Sequence, residues 1–230
     1  KLQSLFLVSH GRLGQREKED PVSMDVLLWY GEITWDYIKQ MLPCAAGAAA
    51  VFFCLLPWRR KRLSAKMLRS LPIRETALLL FVLFCAGLAA LTLFPSNFWG
   101  SLLNGSPLPP FTPADNGFYS KINLLDVLAS GGSWALFMLL GNVIMFMPLG
   151  FFPALLWRRP RWWKSTVIAT CASCFVECVQ LYVGRSSDVN DIILNGLGGL
   201  AGYGLYRLLR GAALNWVQKF NCTEVDSSHG

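Results

Sequence analysis

Five runs of apolar residues, each close to the length of a membrane-crossing helix, constrain this chain more than any other feature. A helix rises about 1.5 Å per residue, so the roughly 30 Å hydrocarbon layer of a bilayer takes about 20 residues to cross. The runs fall at Ile38–Trp58, Thr76–Phe94, Trp134–Trp157, Ser165–Val183 and Ile192–Leu209. A soluble domain of this size has no need of such runs. It would also carry about 25% charged residues, whereas here 15% are charged and 53% hydrophobic. The expectation is an all-α polytopic membrane protein with five transmembrane helices.

The loops give an orientation. The link after the first run carries Arg59, Arg60, Lys61, Arg62, Lys66, Arg69 and Arg74, and the link after the third carries Arg158, Arg159, Arg161 and Lys164. The links 95–133 and 184–191 carry one basic residue each, Lys121 and Arg185. Basic residues near span ends stay cytoplasmic, which puts the N-terminus outside and the C-terminus inside. Tryptophans at 35, 58, 134, 157, 162 and 163 bracket the runs as an interfacial belt does. The chain then divides into an N-terminal tail (1–36), two helices with a basic cytoplasmic loop (37–94), an external loop (95–133), a three-helix core (134–210) and a cytoplasmic tail (211–230). The net charge of +7 is used up in orienting these segments, so no nucleic-acid partner is expected.

Residues 1–23 fit no signal peptide, because the apolar stretch before Ser9 is short and a charged run follows at 16–20. Met24 is a candidate start, and no function is assigned to the segment before it. The two histidines, His10 and His229, lie in the tails, so histidine-dependent triads and metal motifs are excluded from the membrane body. Six of seven cysteines lie in apolar runs, against a disulfide framework. Cys171, Cys174 and Cys178 share a helix face, where small residues for tight helix packing are the expected reading. In the external loop, Pro107, Pro109, Pro110 and Pro113 stiffen the chain. Phe118, Ile122, Leu125 and Ala129 then recur at helical spacing, giving either a helix lying on the membrane surface or an ordinary packed one.

Polar residues inside spans are costly and therefore informative. Thr166, Thr170, Ser173, Glu177 and Gln180 recur at steps of four and three, on one face of the fourth span. Asp188, Asp191, Asn195, Gly198 and Gly202 keep the same rhythm in the fifth, ending in a G-x-x-x-G step that admits a close neighbour. The third span offers Asn142, with Pro148 predicting a kink. At helical rise Asn142 sits about 12 Å and Glu177 about 9 Å below the outer ends of their spans, with Asn195 about one turn inside the fifth. The expected site therefore joins Asn142, Glu177, Gln180 and Asn195 under a lid of Arg185, Asp188, Asn190 and Asp191. Plainer roles stay open: Asp188 as a helix cap, Glu177 as a partner of Arg185, and the two asparagines as interhelical hydrogen-bonding groups.

These residues also resemble a family pattern. Asn142-x-x-x-Phe146-x-Pro148-Leu149-Gly150 is similar to the first signature of the VanZ-like family. Glu177-x-x-Gln180, Gly184-Arg185 and Asp188-x-Asn190-Asp191-x-x-x-Asn195-x-x-Gly198 resemble the second. The chain departs from the family upstream, where Asn123-Leu124-Leu125-Asp126-Val127 lacks the usual Pro-Phe pair, and residues 1–75 match only in being membrane-like. The resemblance implies a Gram-positive plasma-membrane protein whose best-known relative confers teicoplanin resistance, and it implies no established reaction. Two classes of function follow. One is a non-catalytic protein whose polar site opens to the external leaflet and binds membrane lipid or a lipid-bearing ligand such as a lipoglycopeptide. The other is a membrane enzyme on a lipid-linked cell-wall intermediate, with Glu177 as acid or base. No cofactor or metal is called for, although Glu177, Asp188 and Asp191 have the chemistry to hold a divalent ion. A transporter ranks third, for want of an internal repeat.

Overall fold

The computed structural model describes residues 24–94, 98–107, 133–182 and 189–224. The regular structure among them is seven helices and two strands of two residues. The helices are α1 (Met24–Ser64), α2 (Pro72–Leu93), α3 (Phe98–Leu103), α4 (Ser133–Leu156), α5 (Trp162–Tyr182), α6 (Val189–Ala212) and α7 (Leu214–Gln218). The strands are β1 (Leu68–Arg69) and β2 (Thr223–Glu224). The expectation of an all-helical protein holds. Residues 1–23, the external-loop stretch 118–129, Arg185 and Asp188 lie outside the described residues.

Three helical segments among the described residues are long and apolar enough to cross a membrane: Trp35–Ser64, Pro72–Leu93 and Leu139–Leu156. The two further runs expected to do so are helical over 21 and 24 residues, as α5 and α6. Both are diluted by polar residues and glycine, and both turn those residues inward. At α1 the helix is longer than the expected span, 41 residues with Pro43 and Pro57 inside it. α4 likewise runs through Pro148 and Pro153. α2 starts with proline at its N-terminus and Glu75 in its first turn, and α6 carries Asp191 in its first turn and Arg210 in its last. Those placements suit a helix start without free N–H groups and a macrodipole of the matching sign.

The chain separates into two units, residues 1–39 and 40–230. In the first, the described part is the start of α1, where Lys39 pairs with Asp36 one turn earlier at 2.7 Å, both side chains exposed. In the second, α6 is the central helix, packed most extensively on α4 and next on α5, with α2 against α4 and α5. Glycines set this closeness. A Cβ on Gly198 or Gly202 would strike the backbone carbonyl of Val143 or Met147 on α4, and one on Gly199 would strike the Ala169 side chain on α5. Without a hydrophobic drive between helices in lipid, such backbone approach supplies the packing.

Two apolar clusters mark the middle and one end of the bundle. Leu88, Phe146, Leu149 and Ala169 join α2, α4 and α5 in the middle. Ala77 of α2, Leu155 and Leu156 of α4, Tyr206 of α6, Val217 and Phe220 form the other. That cluster gathers the start of α2 and the ends of α4 and α6 at one end of the bundle. β1 pairs antiparallel with β2 there, Leu68 opposite Glu224 and Arg69 opposite Thr223. The α1–α2 link, the α4–α5 link and the C-terminal segment therefore share an end, which is where most of the basic residues lie.

The surface is inverted relative to a soluble protein. Ile144, Val167, Phe175 and Ile193 are half or more exposed, while Ser165, Ser173, Glu177 and Asn195 are buried. Water would favour the reverse, and hydrocarbon favours this arrangement.

Candidate functional site

The polar stripe of α5 faces inward. Ser173 and Glu177 are buried, at 0% and 3% exposure, and Thr170 and Gln180 are half-buried. Cys171, Cys174 and Cys178 are exposed on the outer face. The tight-packing reading of these thiols is thereby corrected. The three- and four-residue steps that align them also place them opposite the stripe, so they face out when the stripe faces in.

Hydrogen bonds tie the stripe to its neighbours. Asn195 Nδ2 donates to Ser173 Oγ at 2.8 Å, a buried bond between α6 and α5. Asn142 Nδ2 donates to Asp191 Oδ1 at 2.6 Å, joining α4 to the first turn of α6. Gln180 Nε2 reaches the carbonyl oxygen of Thr92 on α2 at 3.5 Å. The helices α5 and α6 run in opposite directions, so Glu177 and Asp191, each four residues from the Ser173–Asn195 bond, both lie about one turn (6 Å) toward the same end. That end is opposite the one bearing β1, β2 and the basic links. Asn190 is half-buried beside Asp191.

The site thus holds two carboxylates and four amides at one end of an apolar bundle, and Asn195 Oδ1 is buried without a hydrogen-bond partner among the described residues. An unpaired buried acceptor costs roughly 1–3 kcal/mol, which a donor-bearing ligand or water would recover. Carboxylates in such surroundings accept hydrogen bonds, pair with cations or exchange a proton. No group of three or more acidic, histidine or cysteine side chains suited to a metal ion occurs among the described residues.

Of the expected site residues, Asn142 meets Asp191, while Asn195 meets Ser173, a member of the stripe not singled out from the sequence. Gln40 was missed. Its Nε2 donates to the carbonyl oxygens of Ala90 (2.9 Å) and Phe94 (3.3 Å), joining α1 to the last turn of α2 at the polar end. The signal was available, since a lone amide within an apolar run is costly without such a partner. At the opposite end Arg59 pairs with Glu75, and Arg74 lies 3.9 Å from the same carboxylate. From sequence these arginines carried only topological meaning.

The family model described as VanZ/LLP1 matches residues 81–210, which is 130 of the 230 residues. The chain belongs to the VanZ/LLP1 family. The match runs from Phe81 in α2 to Arg210 in α6 and contains Asn142, Ser173, Glu177, Gln180, Asp191 and Asn195. Most of the VanZ/LLP1 region is therefore the α4–α5–α6 bundle with its polar end, while α1, α7 and both strands fall outside it. Neither a curated protein nor a solved structure matches the chain. Family membership and the inverted surface together make this a VanZ-like membrane protein.

Proposed function

We propose that the polar end of the α4–α5–α6 bundle is a binding site open to the external leaflet, taking a lipid or a lipid-bearing ligand such as a lipoglycopeptide. The observation that carries this reading is the burial of Glu177 beside the Ser173–Asn195 pair. Carboxylates and amides are retained inside apolar bundles chiefly where function requires them. In this reading the chain crosses the plasma membrane five times, with the N-terminus outside, and α5 and α6 cross with their polar faces turned inward and their apolar faces toward lipid. Arg185 and Asp188 complete the lid, and the polar groups hold a head group while the exposed apolar flanks leave the ligand's hydrocarbon in the bilayer.

Teicoplanin bears an acyl chain and vancomycin does not, so a site half in lipid discriminates between them. The test is susceptibility to both antibiotics with and without expression, alongside lipid analysis of the same membranes. A selective shift for teicoplanin supports ligand binding. Equal shifts, or none in susceptibility or lipid composition, would sink it. A new or depleted lipid-linked species in place of a susceptibility change would favour the second reading, an enzyme with Glu177 as acid or base. The absence of histidine from the membrane body makes a carboxylate the available base.

A further inference from the structure

At the opposite end of the molecule, α1 and α2 do not close against each other along their whole length. Gly47, Ala48, Val51 and Leu55 on α1 and Leu78 and Val82 on α2 border an apolar groove of about 350 Å³. Arg59 closes one end of it. From Gly47 to Arg59 is twelve residues, or about 18 Å of helix, close to one leaflet of a roughly 30 Å hydrocarbon core. A helix of that length and a 10 Å diameter occupies roughly 1,400 Å³, so the groove suits a slender chain and is too small for another helix.

The charges beside it are mostly of one sign. Arg59 is paired with Glu75, its guanidinium 4.7 Å over the Phe52 ring, but five N–H donors leave it capacity for a second anion. Arg62 follows one turn later on the same face of α1, exposed and without an ion pair among the described residues. Arg62 lies over the exposed Trp58 ring at 4.8 Å, an interfacial marker at the same level. Glu75 is the sole acidic residue from position 59 to 75, against seven basic ones.

We infer that this groove binds one anionic glycerophospholipid from the leaflet on the side of the basic loops, one acyl chain lying between α1 and α2 and the phosphate meeting Arg59 and Arg62. This site is separate from the polar end and does not rest on the function proposed for it. Nearly all its residues fall outside the family match, so it belongs to what α1 adds to this chain.

Native mass spectrometry of the purified full chain tests it, after equilibration with dioleoylphosphatidylglycerol or dioleoylphosphatidylcholine. The wild type should retain one phosphatidylglycerol, preferred roughly thirtyfold over phosphatidylcholine, as expected for about two basic side chains near an anionic head group. Arg62→Gln should cut the preference several-fold and leave Arg59, with its structural partner, in place. Ala48→Trp should remove retention of both lipids by filling the groove. Val51→Trp serves the same end should Ala48→Trp fail to accumulate, because Val51 is 58% exposed and has room for a larger side chain. Equal retention of the two lipids by the wild type overturns the proposal, as does phosphatidylglycerol retained undiminished by a well-folded tryptophan variant. A dimer cross-linked through Val51 would show instead that a second copy covers the groove, and would overturn it too.

Discussion

The amide of Asn142 donates to the carboxylate of Asp191 at 2.6 Å, linking α4 to α6 across 49 residues of sequence. The bond sits at the mouth of the bundle and gives the half-buried aspartate a donor in place of water. Hydrogen bonds to charged groups are the stronger ones, and interhelical bonds in membranes contribute up to about 2 kcal/mol. Asn142→Leu should lower stability by about 1–2 kcal/mol, read as an earlier melt of detergent-solubilised protein. Asp191→Asn keeps a neutral acceptor and should lose less. An unchanged melt for Asn142→Leu would show that the bond is incidental.

Glu177 separates site from scaffold. Glu177→Gln preserves shape and removes charge, so it should accumulate in the membrane as the wild type does and lose the teicoplanin or lipid phenotype. Poor accumulation with a proportionate loss of activity would make Glu177 structural. Full activity at normal levels would remove the charge from both functional readings and leave Asn142 and Asn195.

The glycines of α6 make a graded set. Gly198→Leu and Gly202→Leu push a side chain into the backbone of α4, where overpacking costs roughly 1–3 kcal/mol or more, and folded protein should fall several-fold. Gly204→Leu meets open space and should accumulate normally. Equal behaviour of all three would contradict the close approach of α6 and α4.

The Glu75 carboxylate is mostly buried between Arg59 and Arg74. Glu75→Gln leaves two arginines partly buried without a counter-charge. The loss should be about 1–3 kcal/mol, less than the 3–5 typical of a fully buried pair, because both guanidinium groups keep some solvent contact. Glu75→Leu with Arg59→Leu should recover much of it. Thermal melts of the three proteins measure this, and no recovery in the double variant would deny that the two residues are coupled.

Reporter fusions test the topology at two levels. The apolar cluster and the β1–β2 pairing require fusions after Lys66, Arg161 and Lys219 to read alike. The basic loops specify that they read as cytoplasmic, and that fusions after Asn116 and Ser187 read as external. A split among the first three would contradict the fold itself.

Sequence alone determined that the five apolar runs are helical and which residues in them are expensive in lipid. Both follow from local properties: apolar run length, the 3.6-residue period that aligned Ser173 with Glu177, and the cost of burying amides and carboxylates. Tertiary structure decided which of these groups meet. Asn195 chose Ser173, Asn142 chose Asp191 and Gln40 chose two carbonyls of α2, because register between helices is set where Gly198, Gly199 and Gly202 let backbones touch. It also decided which face of α5 turns outward, placing Cys171, Cys174 and Cys178 on the surface, and that Arg59 has a carboxylate partner in Glu75. A single helix in lipid carries no hydrophobic preference between its apolar neighbours and the bilayer, so only packing against other helices settles those choices.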